Sequence, residues 1–187
     1  MYRPLIKLLA SMAVLFAFTT SSQAFVLWTD HEDGNDHLYT VGFLPGSSWG
    51  EANEAVASLG DGWHLATITS ANEQSFLENN LYMELIGKYW LGGYQTDGAP
   101  TNEGWNWVTG ESWDYENWEP SQPDDFGGQD QRWLVTDSNF DWQWGDNRWS
   151  SRHIVGFIAE KTVPEPYTLA LLGAGLAFLG FLGRRKA

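Results

Sequence analysis

The chain has 187 residues, no cysteine and a formal net charge of −14. Within residues 25–163 the imbalance grows: 23 acids face only Lys88, Arg132, Arg148, Arg152 and Lys161, leaving −18. Such a surface repels phosphate-rich partners, so nucleic acid is not expected as a ligand, and the lack of thiols excludes a disulfide framework and cysteine chemistry.

The first 24 residues read as a secretory signal peptide. Arg3 and Lys7 give a positive start, residues 8–18 are almost wholly apolar, and Ser22-Gln23-Ala24 places small residues where a signal peptidase reads them. Residues 25–162 then suit one domain. All 12 tryptophans fall between the two ends of the chain. Trp combines apolar area with an N–H donor, so it serves cores and sugar-binding faces alike, and most are assigned to the core. Asp30, Glu32, Asp33 and Asp36 look locally like a calcium loop, but Asp33-Gly34-Asn35-Asp36 fits a solvated turn better.

Leu38-Tyr39-Thr40-Val41 reads as a strand. Ser47-Ser48 followed by Glu51 predicts a helix start, and Ala52, Ala55, Val56 and Leu59 recur at helical spacing until Gly60-Asp61-Gly62. His64-Leu65-Ala66-Thr67-Ile68 reads as a strand. Ser70 with Glu73 predicts a second capping box, and Phe76, Leu77 and Leu81 the buried stripe of the helix behind it. Residues 89–94 form a strand with a Gly pair. From 96 to 130 periodicity fades and Gly, Pro, Asn, Asp and Trp dominate, with a short strand at Trp105-Asn106-Trp107; a loop region this long is functional or metal-ordered. Strands over 132–136 and 153–159 close the domain. The order is that of an α+β fold with two helices, antiparallel sheets and a long structured loop region.

The chain ends in a three-part pattern. Val163-Pro164-Glu165-Pro166 precedes an apolar run over 167–183, and Arg184-Arg185-Lys186 follow. The run is shorter than the ~20 residues that cross a bilayer comfortably, and the basic end belongs on the cytoplasmic side. Residues 163–187 resemble a PEP-CTERM sorting signal of Gram-negative bacteria. The resemblance implies transient insertion of a short transmembrane helix in the inner membrane, processing by an exosortase, and a secreted or cell-surface product. A plain C-terminal anchor is the alternative.

The domain itself resembles a C-type lectin-like domain. Trp49-Gly50-Glu51-Ala52 with Ala55 matches the family's first helix, His64-Leu65-Ala66-Thr67-Ile68 with Ser70 and Glu73 its next conserved stretch, and Trp90-Leu91-Gly92-Gly93 its central strand. Trp105, Trp107, Gly110, Tyr115, Asn117 and Trp118 match the entry to the long loop, and Gly156-Phe157-Ile158-Ala159-Glu160 the closing strand. Ala159 stands where the family has cysteine, with the lost partner near Ala57 or Ser58.

That resemblance implies a calcium and sugar site. Gln122-Pro123-Asp124 stands where family members place two oxygen ligands around a cis proline, Asp130 where they carry a further acid, and Asp146 of Trp144-Gly145-Asp146 where a strand completes the shell. The implied metal ligands are Gln122, Asp124, Asp130 and Asp146, and the implied sugar contacts Gln122, Asp124, Phe126, Asp130 and Asn147. Gly145 departs from the family, which has Asn there; Asn147 could reach in if the strand end is shifted. Gln-Pro-Asp with Phe126 resembles the galactose-type version, in which an aromatic ring stacks on the sugar; otherwise Phe126 is a loop anchor. The expectation is a carbohydrate-binding protein, calcium-dependent, associated with extracellular polysaccharide and not an enzyme. A calcium-independent protein-binding or matrix-structural module on the same fold is the alternative. His31, His37, His64 and His153 show no metal-ligand spacing, and His64 reads as structural.

Overall fold

A computed structural model describes residues 25–28, 36–81 and 86–163. The signal peptide, most of the acidic run at 30–36 and the sorting tail beyond residue 163 lie outside the described residues. The elements run β1 (Phe25–Trp28), β2 (His37–Phe43), α1 (Trp49–Ala57), β3 (Trp63–Leu65), α2 (Ala71–Asn80), β4 (Lys88–Gln95), β5 (Trp105–Trp107), β6 (Trp133–Asp137), β7 (Trp144–Asn147) and β8 (Ile154–Thr162).

Both helices start where short-range chemistry places them. Ser48 caps α1: its hydroxyl accepts from Glu51 N at 3.2 Å while the Glu51 carboxylate accepts from Ser48 N at 2.7 Å, which satisfies two end donors reciprocally. Trp49, Ala52 and Val56 form its buried face. Ser70 caps α2 by accepting from Glu73 N at 3.2 Å, but the expected box is only half formed. The Glu73 carboxylate turns instead to Thr69 N at 2.8 Å and to the Tyr39 hydroxyl, because burial offers it a stronger set of donors than its own cap.

Strand β8 is the axis of the sheet. It pairs antiparallel with β2 and β3 and parallel with β4, and β4 continues through β6 to β7, giving the order β1-β2-β8-β4-β6-β7. The β4–β8 pairing is thus a parallel seam in an otherwise antiparallel sheet. Enclosed between neighbours, β4 is buried almost throughout. Gly93 lets β6 close on it: a Cβ there would lie 2.6 Å from Leu134 Cδ2. Strand β3 ends at Leu65 rather than at Ile68. Ala66 N bonds Ile158 O at 2.9 Å, but the next amide, Thr67 N, turns to the Glu160 carboxylate at 2.7 Å, so the ladder stops there.

The long loop region is held by aromatic packing. Trp144 of β7 is fully buried, and the rings of Trp107, Trp113, Tyr115 and Trp118 surround it at centroid distances of 5.6, 5.7, 5.6 and 6.0 Å. Its backbone accepts from Glu119 N at 2.9 Å and donates to Asn117 O at 2.7 Å. Tryptophan therefore pins residues 113–119 to β7, immediately beside the proline turn that follows. Ala159 sits in one buried cluster with Ala52 and Val56 of α1, so apolar packing occupies the place of the missing cysteine.

Candidate functional site

Residues 119–131 fold back across β7. The turn begins with Gln122 N donating to Glu119 O at 2.8 Å, and the Gln122–Pro123 peptide bond is cis. Gln122 Oε1 accepts from Asp146 N at 3.1 Å. In return the Asp146 carboxylate accepts from Asp125 N at 2.8 Å and from Asp124 N at 3.2 Å. Loop and strand therefore hold each other reciprocally, each presenting an oxygen to the other's amide. Asp124 Oδ1 accepts from Phe126 N at 3.1 Å, and Asp125 is tied to Thr101 and to Gln131 N, so the loop is fixed on both sides.

Gly145 shapes the result. The built position of a Cβ at 145 is 3.0 Å from Gln122 Oε1, so the carboxamide lies nearly flat on the bare backbone of β7. A cleft of about 400 Å³ opens here, lined among others by Gln122, Asp124, Phe126, Gly145, Asp146 and Asn147. Asp146 is only 5% exposed. Burial pushes its carboxyl up to about 6; the amides of Asp125 and Asp124 oppose this, and the charges of Asp124 and Asp125 reinforce it.

The structure brings Gln122, Asp124, Phe126, Asp146 and Asn147 to one cleft. Phe126 is 73% exposed on its rim, in a position to offer a ring face rather than to anchor the loop. Asn147 is buried, and its Oδ1 accepts from Arg148 N at 3.0 Å. Asp130 does not join them. It pairs with Arg132 Nε at 2.9 Å, and Arg132 also holds Asp97 at 2.6 Å, so Asp130 faces a separate hollow on the outer side of the loop. The donors that do converge are all hard oxygens, two of them carboxylates. The raised pKa of Asp146 marks a buried charge that its present partners do not fully compensate. Both features suit a hard divalent cation, with Gln122, Asp124 and Asp146 as the residues that would hold it.

A second cluster was not legible from histidine spacing. His37, Glu73 and Glu160 bring one ligand-type atom each within 4.8 Å of one another. His37 Nδ1 bonds the Glu160 carboxylate, Tyr39 bridges Glu73 and Glu160, and Thr67 N and Oγ1 donate to Glu160 Oε2 at 2.7 and 2.9 Å. Burial pushes the His37 imidazole down, but its bond to Glu160 and the charges of Glu160, Glu73 and Glu111 outweigh that and raise it. Burial, then the Glu160 charge, raises Glu73. The only signal in the sequence was the alternation of β2, which puts His37 and Tyr39 on one side of the strand.

The fold superposes on the C-type carbohydrate-recognition domain of cow CD23 with a TM-score of 0.57 at 22% identity, covering 69% of this chain and 90% of that one. Residues 162–186 match the PEP-CTERM protein-sorting motif. The fold is C-type lectin-like, and a match to the PEP-CTERM sorting motif follows it. The lectin-like domain is 34% identical over 105 residues to human C-type lectin domain family 10 member A, covering 55% of this chain and 29% of that protein. A lectin of Pleurodeles waltl is 29% identical, with 67% of this chain and 71% of that protein covered. The chain spans 8–50% of the length of the first curated relatives it matches. It also superposes on a calcium-independent type II antifreeze protein, with a TM-score of 0.56 at 25% identity, covering 75% of this chain and 98% of that one. No helix among the described residues is long and apolar enough to cross a membrane; the stretch expected to insert lies outside them.

Proposed function

We propose that this chain is a secreted, surface-sorted protein whose lectin-like domain binds the sugars of an extracellular polysaccharide at the Gln122–Asp124–Asp146 cleft, with calcium. Residues 1–24 are removed on export, 25–162 form the binding domain, and 163–187 pass through the inner membrane until an exosortase processes them. The observation that carries the reading is the reciprocal seating of the 122–125 loop on β7, which directs oxygen donors from two distant segments to one open cleft. Calcium, when bound, supplies a hard cation that accepts hydroxyl oxygens into its shell. The chain's own groups do the rest. Gln122 Oε1 and the two carboxylates fix the position of a sugar's vicinal hydroxyls, and Phe126 offers a face for the apolar side of a galactose-like ring. The role is binding rather than catalysis. Asp124 and Asp146 both face the same loop backbone, and Glu73 and Glu160 are buried in the core.

Two observations favour a second reading, a calcium-independent module that binds protein or builds matrix. Asp130 is occupied by Arg132, and Gly145 supplies no side-chain oxygen. Calorimetry and thermal melting with calcium, then with galactose, separate the two. A melt that rises with calcium and again with sugar, and loses both rises in Asp124→Ala, supports the lectin; a flat response of the folded protein to both leaves the metal-free module.

A further inference from the structure

Only five lysine and arginine side chains serve residues 25–163, against 23 acids. The fold does not scatter them. Lys161 lies near the end of β8, and Arg132 is consumed by Asp97 and Asp130. The other three gather around one surface. Lys88 lines the cleft and pairs with Asp137 at 3.5 Å. Arg148 lines the cleft and also a second hollow beside it, of about 600 Å³, with Arg152, His153, Ser150, Ser151 and Gly46. No carboxylate lines that hollow.

The two arginines there are exposed, and among the described residues neither has a carboxylate within ion-pair distance. Neither partner is an acid. Arg148 Nη1 donates to Gln129 Oε1 at 3.1 Å, which aims the guanidinium while leaving its charge uncompensated, and Arg152 Nε lies 3.5 Å from His153 Nε2. In a domain where acids outnumber bases more than fourfold, two neighbouring guanidinium groups without an acid are an exception to the surface around them. Chain geometry places Arg148: it directly follows Asn147 at the end of β7, so one strand carries both Asp146 and Arg148 to the cleft. The surface therefore sets the acids Asp124 and Asp146 of the cleft beside an adjoining hollow that holds Arg148 and Arg152. A guanidinium fork matches the oxygens of a carboxylate or sulfate in two parallel hydrogen bonds, a geometry lysine cannot give.

We propose that the glycan taken by this cleft is anionic, with one sugar at Gln122, Asp124 and Asp146 and the carboxylate or sulfate group of an adjoining sugar received by Arg148 and Arg152. The proposal rests on the carbohydrate reading above. It is tested by calorimetry on the full chain in calcium at fixed ionic strength, with paired oligosaccharides that differ only in charge: uronic-acid oligomers against their methyl esters, and sulfated galactan oligomers against their desulfated forms. At least one charged member is expected to bind about tenfold more tightly than its neutral partner, a difference of about 1.4 kcal/mol. In Arg148→Gln/Arg152→Gln the two members of that pair bind alike. The pair showing the preference names the anion. Equal binding of charged and neutral members by the unmodified protein overturns this proposal alone, as does a preference that survives in the double variant with an unchanged melt. Failure of every oligomer to bind overturns the carbohydrate reading with it.

Discussion

Replacing Asp146 with Asn isolates the charge at the centre of the cleft. Burial raises the Asp146 carboxyl from 3.8 to about 6 in the folded protein. A raised carboxyl favours its protonated form, so its contribution to stability is full below the unfolded pKa and is lost as pH climbs through about 6. A rise of this size corresponds to at most about 3 kcal/mol at pH 7.5. The opening of the cleft to water reduces this to about 1–2 kcal/mol. Asn keeps the shape and an acceptor for Asp125 N but never ionises, so in chelator Asp146→Asn should melt higher than the parent at pH 7.5, by roughly 4–8 °C for a domain of this size. The gap should close at pH 4. Adding calcium should reverse the order, because a cation compensates the carboxylate and has less to gain from the amide. The assay is a thermal melt of both proteins from pH 4 to 8, with chelator and with calcium. The difference between the two proteins cancels the general repulsion of an acidic chain. A gap that does not change with pH, or a variant that melts lower at pH 7.5 in chelator, would refute the idea that this carboxylate is held at a cost.

Trp144→Ala removes the ring around which Trp107, Trp113, Tyr115 and Trp118 pack, and should cost about 3–5 kcal/mol. Near-ultraviolet circular dichroism should show the lost aromatic order, and calcium and sugar responses should weaken with it. His37→Gln tests the buried network. The folded His37 is raised, so its contribution is present below the ordinary histidine value and lost as pH rises through the folded one. The variant should therefore be destabilised more at pH 5.5 than at pH 9, by melting in both buffers. Gly145→Asn adds an oxygen at the edge of the cleft, but its Cβ meets Gln122 Oε1 at 3.0 Å, so the carboxamide must shift by a few tenths of an ångström. Calcium should bind more tightly by calorimetry, by about tenfold for one added ligand oxygen of about 1.4 kcal/mol. Weaker binding would show that the flat seat of Gln122 on β7 is what the site requires.

Much of the fold was legible because it is encoded within a few residues. Ser48 with Glu51 wrote the start of α1, Ser70 the start of α2, Gly60 and Gly62 the turn that ends the first helix region, and the alternation around Tyr39 the strand that carries it. The oxygen-rich turn at 122–124 and the exposed ring of Phe126 announced themselves in the same way, since residue type and local spacing suffice for them. What spacing could not settle was which distant group each side chain would meet. Glu73 looked like half of a capping box until burial gave it Tyr39 and Thr69. Asp130 was grouped with the cleft residues, yet the structure sets it beside Arg132, two residues on. His37 showed no partner at any helical or turn spacing and found Glu160 only because β2 lies against β8 in antiparallel register. The sequence by itself determined the caps, the turns, the acidic surface and the chemical types of the donors, all of them set by hydrogen bonds and periodicities a few residues long. Only the tertiary structure decided that Gln122 rests on Gly145, that Asp146 is buried, and that Arg148 and Arg152 stand without an acid, because strand register fixes contacts between segments far apart in the chain.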